Sequence, residues 1–212
     1  MKDTRALFLL ALTIMFAGSV SAAKYEVTIT NLMKSTVLTP IMVTAHQHSV
    51  TFYELGAPAS DALSRVAEGG DTSGIEAVFS DTAQIASTGG LLGAGESATV
   101  MFDGLNRHSK ISIASMLLPT NDAFIAAQSV GVSRRHGNQV FYLKAYDAGT
   151  ETNDESCATI PGSQCGGEPF SPNDAGEGFV YVHSGIHGIG DLNASEYTWM
   201  NPVVKVTIKR VK

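Results

Sequence analysis

A chain of 212 residues is long enough for one full domain with a sizeable core. It carries a formal net charge of −6, only 16% charged residues and no interleaving of basic with aromatic side chains. Nucleic acid is thereby excluded as a partner, because neutralising phosphates takes the cations this chain lacks. Many surface positions must then be Ser, Thr, Asn and Gly, as in extracellular β domains.

The first residues, MKDTRALFLLALTIMFAGSVSAA, place Lys2 and Arg5 ahead of an apolar run from Ala6 to Ala17, followed by small residues. That layout predicts a secretory signal peptide over 1–23, cleaved after Ala22 or Ala23. A membrane anchor needs about 20 apolar residues, more than the run supplies, and a polar strand follows at once. No Cys stands where a lipid anchor needs one, and no later stretch is apolar enough to span. The expected product is one exported domain, residues 24–212, not inserted in a membrane after cleavage. It has 12 basic and 19 acidic side chains and a net charge near −7.

Tyr25–Asn31 alternates apolar and polar residues and predicts the first strand; Leu38–His46 predicts the second, with Pro40 near its start. Ser60–Glu68 switches to helical spacing, with Leu63, Val66 and Ala67 on one side, Ser60 as N-cap and Gly69-Gly70 as the stop. Asp71–Ala86 reads as one or two further short helices. Ala94–Asp103 reads as a strand. Ile111, Ile113 and Leu117 alternate with Ser112, Ala114 and Met116, the period of a half-buried strand, and Val140–Ala145 alternates in the same way. A long connection through Ser129–Gly137 is expected between those two. The Gly- and Pro-rich stretch from Glu151 to Gly178 reads as irregular, a length tolerated where a loop covers a site or is cross-linked. Phe179–His183 and Pro202–Val211 read as closing strands. No internal repeat is present.

Each of the two central strands runs into an acidic loop, Asn121-Asp122 after the first and Asp147 and Glu151 after the second. Ca²⁺ takes six to eight oxygen ligands, so such loops at one sheet edge make a candidate site. Gly149 between the acids permits a tight bend. Asp favours turns for reasons unrelated to metal, so solvated loop acids are the competing reading.

The same stretch resembles a known family. SMLLPTNDAF followed by AYDAGTE is similar to the spondin amino-terminal domain. AHQHSVTFYELGAPAS, VHSGIHGIGDL and WMNPVVKVTI extend the likeness, in order, over most of the chain after the leader. The resemblance implies a mostly β fold, a C2-like antiparallel β-sandwich; the helical spacing noted above adds one to three short helices inserted after the second strand. It further implies calcium bound through three acidic positions, which fall on Asp122, Asp147 and Glu151. Two departures stand out. Glu151 replaces an aspartate of the animal proteins, and Ala123-Phe124 stands where those proteins have Trp after the loop aspartate.

A second reading uses the histidines. His46 and His48 have the spacing that puts both rings on one strand face, and His183 and His187 follow in HSGIHGIGD. Imidazole sets of this kind hold Zn²⁺ or Cu²⁺, so a metalloenzyme or redox protein is the alternative. Cys157 and Cys165, eight apart in a Gly/Pro-rich loop, predict a disulfide that staples the loop. No G-x-S-x-G elbow and no phosphate loop is present, and the Gly pairs read as turns. Trp199 is expected to anchor the core. The sequence therefore predicts an exported, calcium-binding recognition or adhesion module and not an enzyme. Its expected partners are the divalent cation and a cell-surface or matrix protein or glycan.

Overall fold

The computed structural model describes residues 23–79, 81–133, 137–171 and 175–211, so the predicted leader lies outside the described residues apart from Ala23. Two antiparallel sheets form a sandwich. The first consists of β1 (Lys24–Asn31), β5 (Ser97–Asp103), β8 (Asn138–Leu143) and β11 (Val204–Arg210), in the order β5-β1-β11-β8. Alternation decides its faces. Val27 pairs with Ile208 on one side and Val100 on the other, so one row of apolar side chains faces inward, while Thr28 and its neighbours Thr207 and Thr99 face out.

The second sheet follows the order β10-β9-β7-β6-β3-β4, with β2 (Val37–Leu38) also on β6. Its strands are β3 (Met42–His46), β4 (Gln84–Ser87), β6 (Lys110–Leu118), β7 (Ala123–Gly131), β9 (Ala145–Asp147) and β10 (Tyr181–Val182). Both of its faces are covered. Val43, Ile111, Ile113 and Ile125 meet the first sheet in the main core. Met42, Ala114, Phe124 and Ala126 turn the other way, onto α1 (Asp61–Gly69) and α2 (Ser73–Glu76). Each fully buried Leu, Ile or Phe contributes roughly 1.5–3 kcal/mol.

Double coverage corrects two expectations. The strand at Ile111–Leu117 is buried throughout, not half-buried, and its Ala114 packs on the helix side. Of the connection expected through Ser129–Gly137, residues 129–131 belong to β7 and 134–136 lie outside the described residues; the AFIAA start of β7 is buried on both faces and so shows no alternation. Leu38–His46 is two strands, split around Pro40, whose missing N–H cannot serve a ladder. Among the described residues of Asp71–Ala86 only α2 is helical, and the segment ends as β4. The Val140–Ala145 run changes sheets at Lys144, leaving β8 for β9.

Helix α1 forms as its caps dictate. Ser60 accepts from the Leu63 N–H, and Gly70 ends the helix at φ 69° while its N–H reaches the Arg65 and Val66 carbonyls. Its Leu63, Val66 and Ala67 are the buried face. Two helices thus follow the second predicted strand, and the third, α3 (Ala194–Tyr197), precedes β11. Trp199 is 8% exposed and belongs to the core. Among the described residues no helix is long and apolar enough to cross a membrane.

Cys157 and Cys165 form the expected disulfide. A closed loop this short constrains the unfolded chain modestly, so Cys157→Ser with Cys165→Ser is expected to lower stability by about 2 kcal/mol and leave the fold intact. Urea unfolding of the double variant measures it.

Candidate metal site at the acidic edge

The β6–β7 turn and the end of β9 meet at one edge of the second sheet. Ala123 at the start of β7 pairs with Asp147 at the end of β9, which puts Asp122 and Asp147 side by side. The Thr120 hydroxyl donates to the Leu117 carbonyl at 2.6 Å and accepts from the Ala123 N–H, closing the turn that presents Asp122. After Asp147 the chain bends at Gly149, at φ +67°, where a Cβ would lie 2.3 Å from the Phe179 carbonyl oxygen. Only glycine fits there. The bend brings the Gly149 N–H to Asp147 Oδ1 at 2.8 Å. It also aims the Thr150 and Glu151 N–H groups at Asp122 Oδ2, at 2.7 and 3.1 Å. The two acidic loops are therefore laced together by backbone donors.

Asp122 and Asp147 are fully buried and Glu151 is 2% exposed. Burial pushes the Asp122 carboxyl up, with the Asp147 charge adding to it, against the hydrogen bonds from Glu151 and Thr150. Burial raises Asp147 as well, and Glu177 reinforces it; Asn153, whose amide donates to Oδ2 at 2.7 Å, works against it. Glu151 is pushed up to about 7 by burial, with Glu68 raising it further and a hydrogen bond from the Ser171 hydroxyl (2.7 Å to Oε1) lowering it. Ion pairs among the described residues bring no Lys or Arg to any of the three. Asp122 Oδ1 and Glu151 Oε2 are buried without a hydrogen-bond partner among the described residues.

The remaining loop acids divide by role. Asp154 binds the Ser156 N–H, the Thr159 hydroxyl and the Asn121 amide, a local turn. Glu155 is a structural anion, 3% exposed at φ 56°, and its carboxylate takes the N–H groups of His187, Gly188 and Ile189 at 2.6, 2.7 and 3.0 Å. Two acids not singled out in the sequence join the site, Glu68 from α1 and Glu177 from the loop before β10. Their distance in number hides them; Glu68 sits on the buried helix, one residue past Ala67, which is the one signal the chain offers.

The four histidines do not form a site. β3 and β10 are four strands apart in the sheet, roughly 19 Å at the usual spacing, so His46 and His183 cannot share an ion. His46 is a satisfied core histidine. Its Nδ1 pairs with the His48 carbonyl at 2.6 Å, its Nε2 with the Ser112 hydroxyl at 2.9 Å, and its ring lies on Phe79. His183 Nδ1 accepts the Gly185 N–H at 2.9 Å, which leaves the proton of the neutral ring on Nε2. That nitrogen is 3.7 Å from Asp147 Oδ2, and burial drives the imidazole down to about 4. Its ring stacks on Trp199, centroids 5.0 Å apart.

Among the described residues no three His, Cys, Asp or Glu side chains already stand as a ready metal cluster. The Glu151 N–H is tied to Asp122, and its carboxylate Oε1 accepts from the Ser171 hydroxyl. The bare carboxylate oxygens of Asp122 and Glu151 fit a hard cation of the Ca²⁺ kind, with the His183 Nε2, likewise buried and without a hydrogen-bond partner among the described residues, 3.7 Å from Asp147 Oδ2 at the margin. The family model described as Spondin_N matches residues 12–162, a span that holds Asp122, Asp147 and Glu151. No curated protein matches the chain.

Proposed function

The chain belongs to the spondin N-terminal domain family, an extracellular family of recognition or adhesion type, and from that premise we propose that it is exported and binds one Ca²⁺ at its acidic edge. The observation that carries the reading is a pair of buried carboxylate oxygens, Asp122 Oδ1 and Glu151 Oε2, beside a fully buried Asp147, with no hydrogen-bond partner for the two oxygens and no Lys or Arg paired to the three acids among the described residues. Buried charge left uncompensated is costly, and a divalent cation removes that cost. Asp122, Asp147 and Glu151 would hold the ion, with backbone carbonyls and water completing a shell of six to eight oxygens. The ion supplies positive charge that fixes the two loops against each other. Asp122 orients the turn through the Thr150 and Glu151 N–H groups, and Gly149 lets the chain come round. The role is recognition of a cell-surface or matrix protein or a glycan by the edge so fixed, without catalysis.

Calorimetric titration of ion-stripped protein, purified without a histidine tag, tests it. One Ca²⁺ per chain is expected, and Asp147→Ala is expected to remove the heat of binding. An unchanged isotherm in that variant takes the site away from this edge. Stoichiometric Zn or Cu in the purified protein overturns the calcium assignment.

A further inference from the structure

A second site lies at the opposite end of the sandwich. Strand β6 runs nine residues from Lys110 to Leu118, so the loop before it and the Asp122 turn after it are separated by roughly 25–30 Å. At that pole a cleft of about 360 Å³ is lined by Tyr25, Leu105, Asn106, Arg107, His108 and Arg210, with Ala23 at its edge. None of these residues is acidic, in a chain with 20 Asp and Glu. Tyr25, 1% exposed, and Leu105, 8% exposed, contribute the apolar part, while Arg107, His108 and Arg210 are exposed.

The cationic groups are carried on rigid backbone. Arg210 ends β11 in register with Tyr25 of β1. The Arg107 loop is pinned by Asn106, whose N–H donates to the Ser109 hydroxyl at 2.9 Å and whose Oδ1 accepts the His108 N–H at 2.8 Å. Arg107 Nε donates to His108 Nε2 at 2.8 Å, which holds the guanidinium by one edge. Its terminal Nη groups remain for an outside acceptor. Of the neighbouring lysines, Lys24 pairs with Asp103 at 3.6 Å and Lys209 with Glu26 at 3.9 Å.

A guanidinium fork matches the paired oxygens of a sulfate or carboxylate, and a fork held in place loses less freedom on binding. A cleft of a few hundred Å³ with an apolar wall takes a small ring bearing that anion. We propose that this cleft binds an anionic sugar residue, sulfated or carboxylated, of an acidic glycan, with Arg107 and Arg210 gripping the anion. The proposal rests on the recognition reading only for its extracellular setting. It does not require the calcium site, which lies well beyond a screening length of about 8–10 Å.

The test is fluorescence anisotropy with a labelled sulfated oligosaccharide at low ionic strength, repeated with its desulfated counterpart and with an acidic peptide of equal charge. Binding of the sulfated probe is expected, with at least tenfold weaker binding of the neutral one. Arg107→Ala and Arg210→Ala are each expected to weaken binding by about tenfold, the loss of a charge-assisted hydrogen bond. Lys24→Ala, at the same pole but outside the cleft, should stay within about twofold. Melting curves establish that each variant is folded, and EGTA should leave the affinity unchanged. A double arginine variant that binds like the parent overturns the proposal. So does a Lys24→Ala loss as large as that of Arg107→Ala, which assigns binding to the general field, or tighter binding of the acidic peptide, which assigns the cleft to a protein partner.

Discussion

Without calcium, the melting temperature is expected to fall as pH rises from about 6.5 to about 8, and saturating calcium is expected to abolish that fall. The buried carboxyls of Asp122, Asp147 and Glu151 all titrate above their ordinary range because burial disfavours their charged forms. A carboxyl whose folded value is raised lends stability that is complete below its unfolded value. That stability is lost as pH climbs through the folded value, about 7 for Glu151. The buried His46 and His183 act oppositely, since burial lowers both. Their effect is confined below their ordinary value of 6.5, so the carboxylates govern the window above it.

Calcium selects the ionised carboxylates, so its stabilisation grows across the same window. At a hundredfold excess over Kd, the gain is about 2.7 kcal/mol. In a domain of this size that is worth about 5–10 °C. Asp122→Asn should make the ion-free profile shallower, leaving the part that Asp147 and Glu151 contribute, and lose the calcium response, because one substitution removes both a repelling charge and a ligand. Scanning calorimetry in EGTA and in calcium measures each curve. A calcium shift that survives Asp122→Asn contradicts the assignment, as does an ion-free profile that stays flat.

The second large effect belongs to an acid outside the proposed calcium site. Glu155→Ala leaves the His187, Gly188 and Ile189 N–H groups without the carboxylate that now accepts all three. Charge-assisted hydrogen bonds of this kind contribute about 1.5–3 kcal/mol. With water reaching part of the vacated space, a loss of about 3 kcal/mol is expected, or roughly 6–12 °C. Glu155→Gln keeps an acceptor of the same size and should lose about half as much. Calcium affinity should be unchanged in both, since Glu155 holds the 187–189 turn. A parallel loss of calcium affinity would instead place Glu155 among the ligands.

How much of the site could be read from the chain depends on which interactions are local. The Asp147–Gly149–Glu151 bend was legible because a glycine between acids has a local consequence, a tight turn, which the positive φ at Gly149 fulfils. Glu68 and Glu177 were not legible, since each reaches the edge from an element far away in number. The histidine pairs looked alike in sequence, and only the strand order, with β3 and β10 four strands apart, separates them. Strand β7 escaped notice for a related reason. Alternation marks a strand with one wet face, and Ala123–Ala127 has none.

By itself the sequence determined those features that near neighbours along the chain dictate. Alternation set the outer-sheet strands, Ser60 and Gly70 set the ends of helix α1, two cysteines set the stapled loop, and two acidic turns were plain to see. Tertiary structure alone decided that the second sheet is covered on both faces, that the chain changes sheets at Lys144, and that Asp122 meets Asp147 while Glu155 turns away to clamp a backbone. Local preference is a sum over adjacent residues. The burial that strips water from three carboxylates is a property of surfaces that meet only when the two sheets and the helices close on one another.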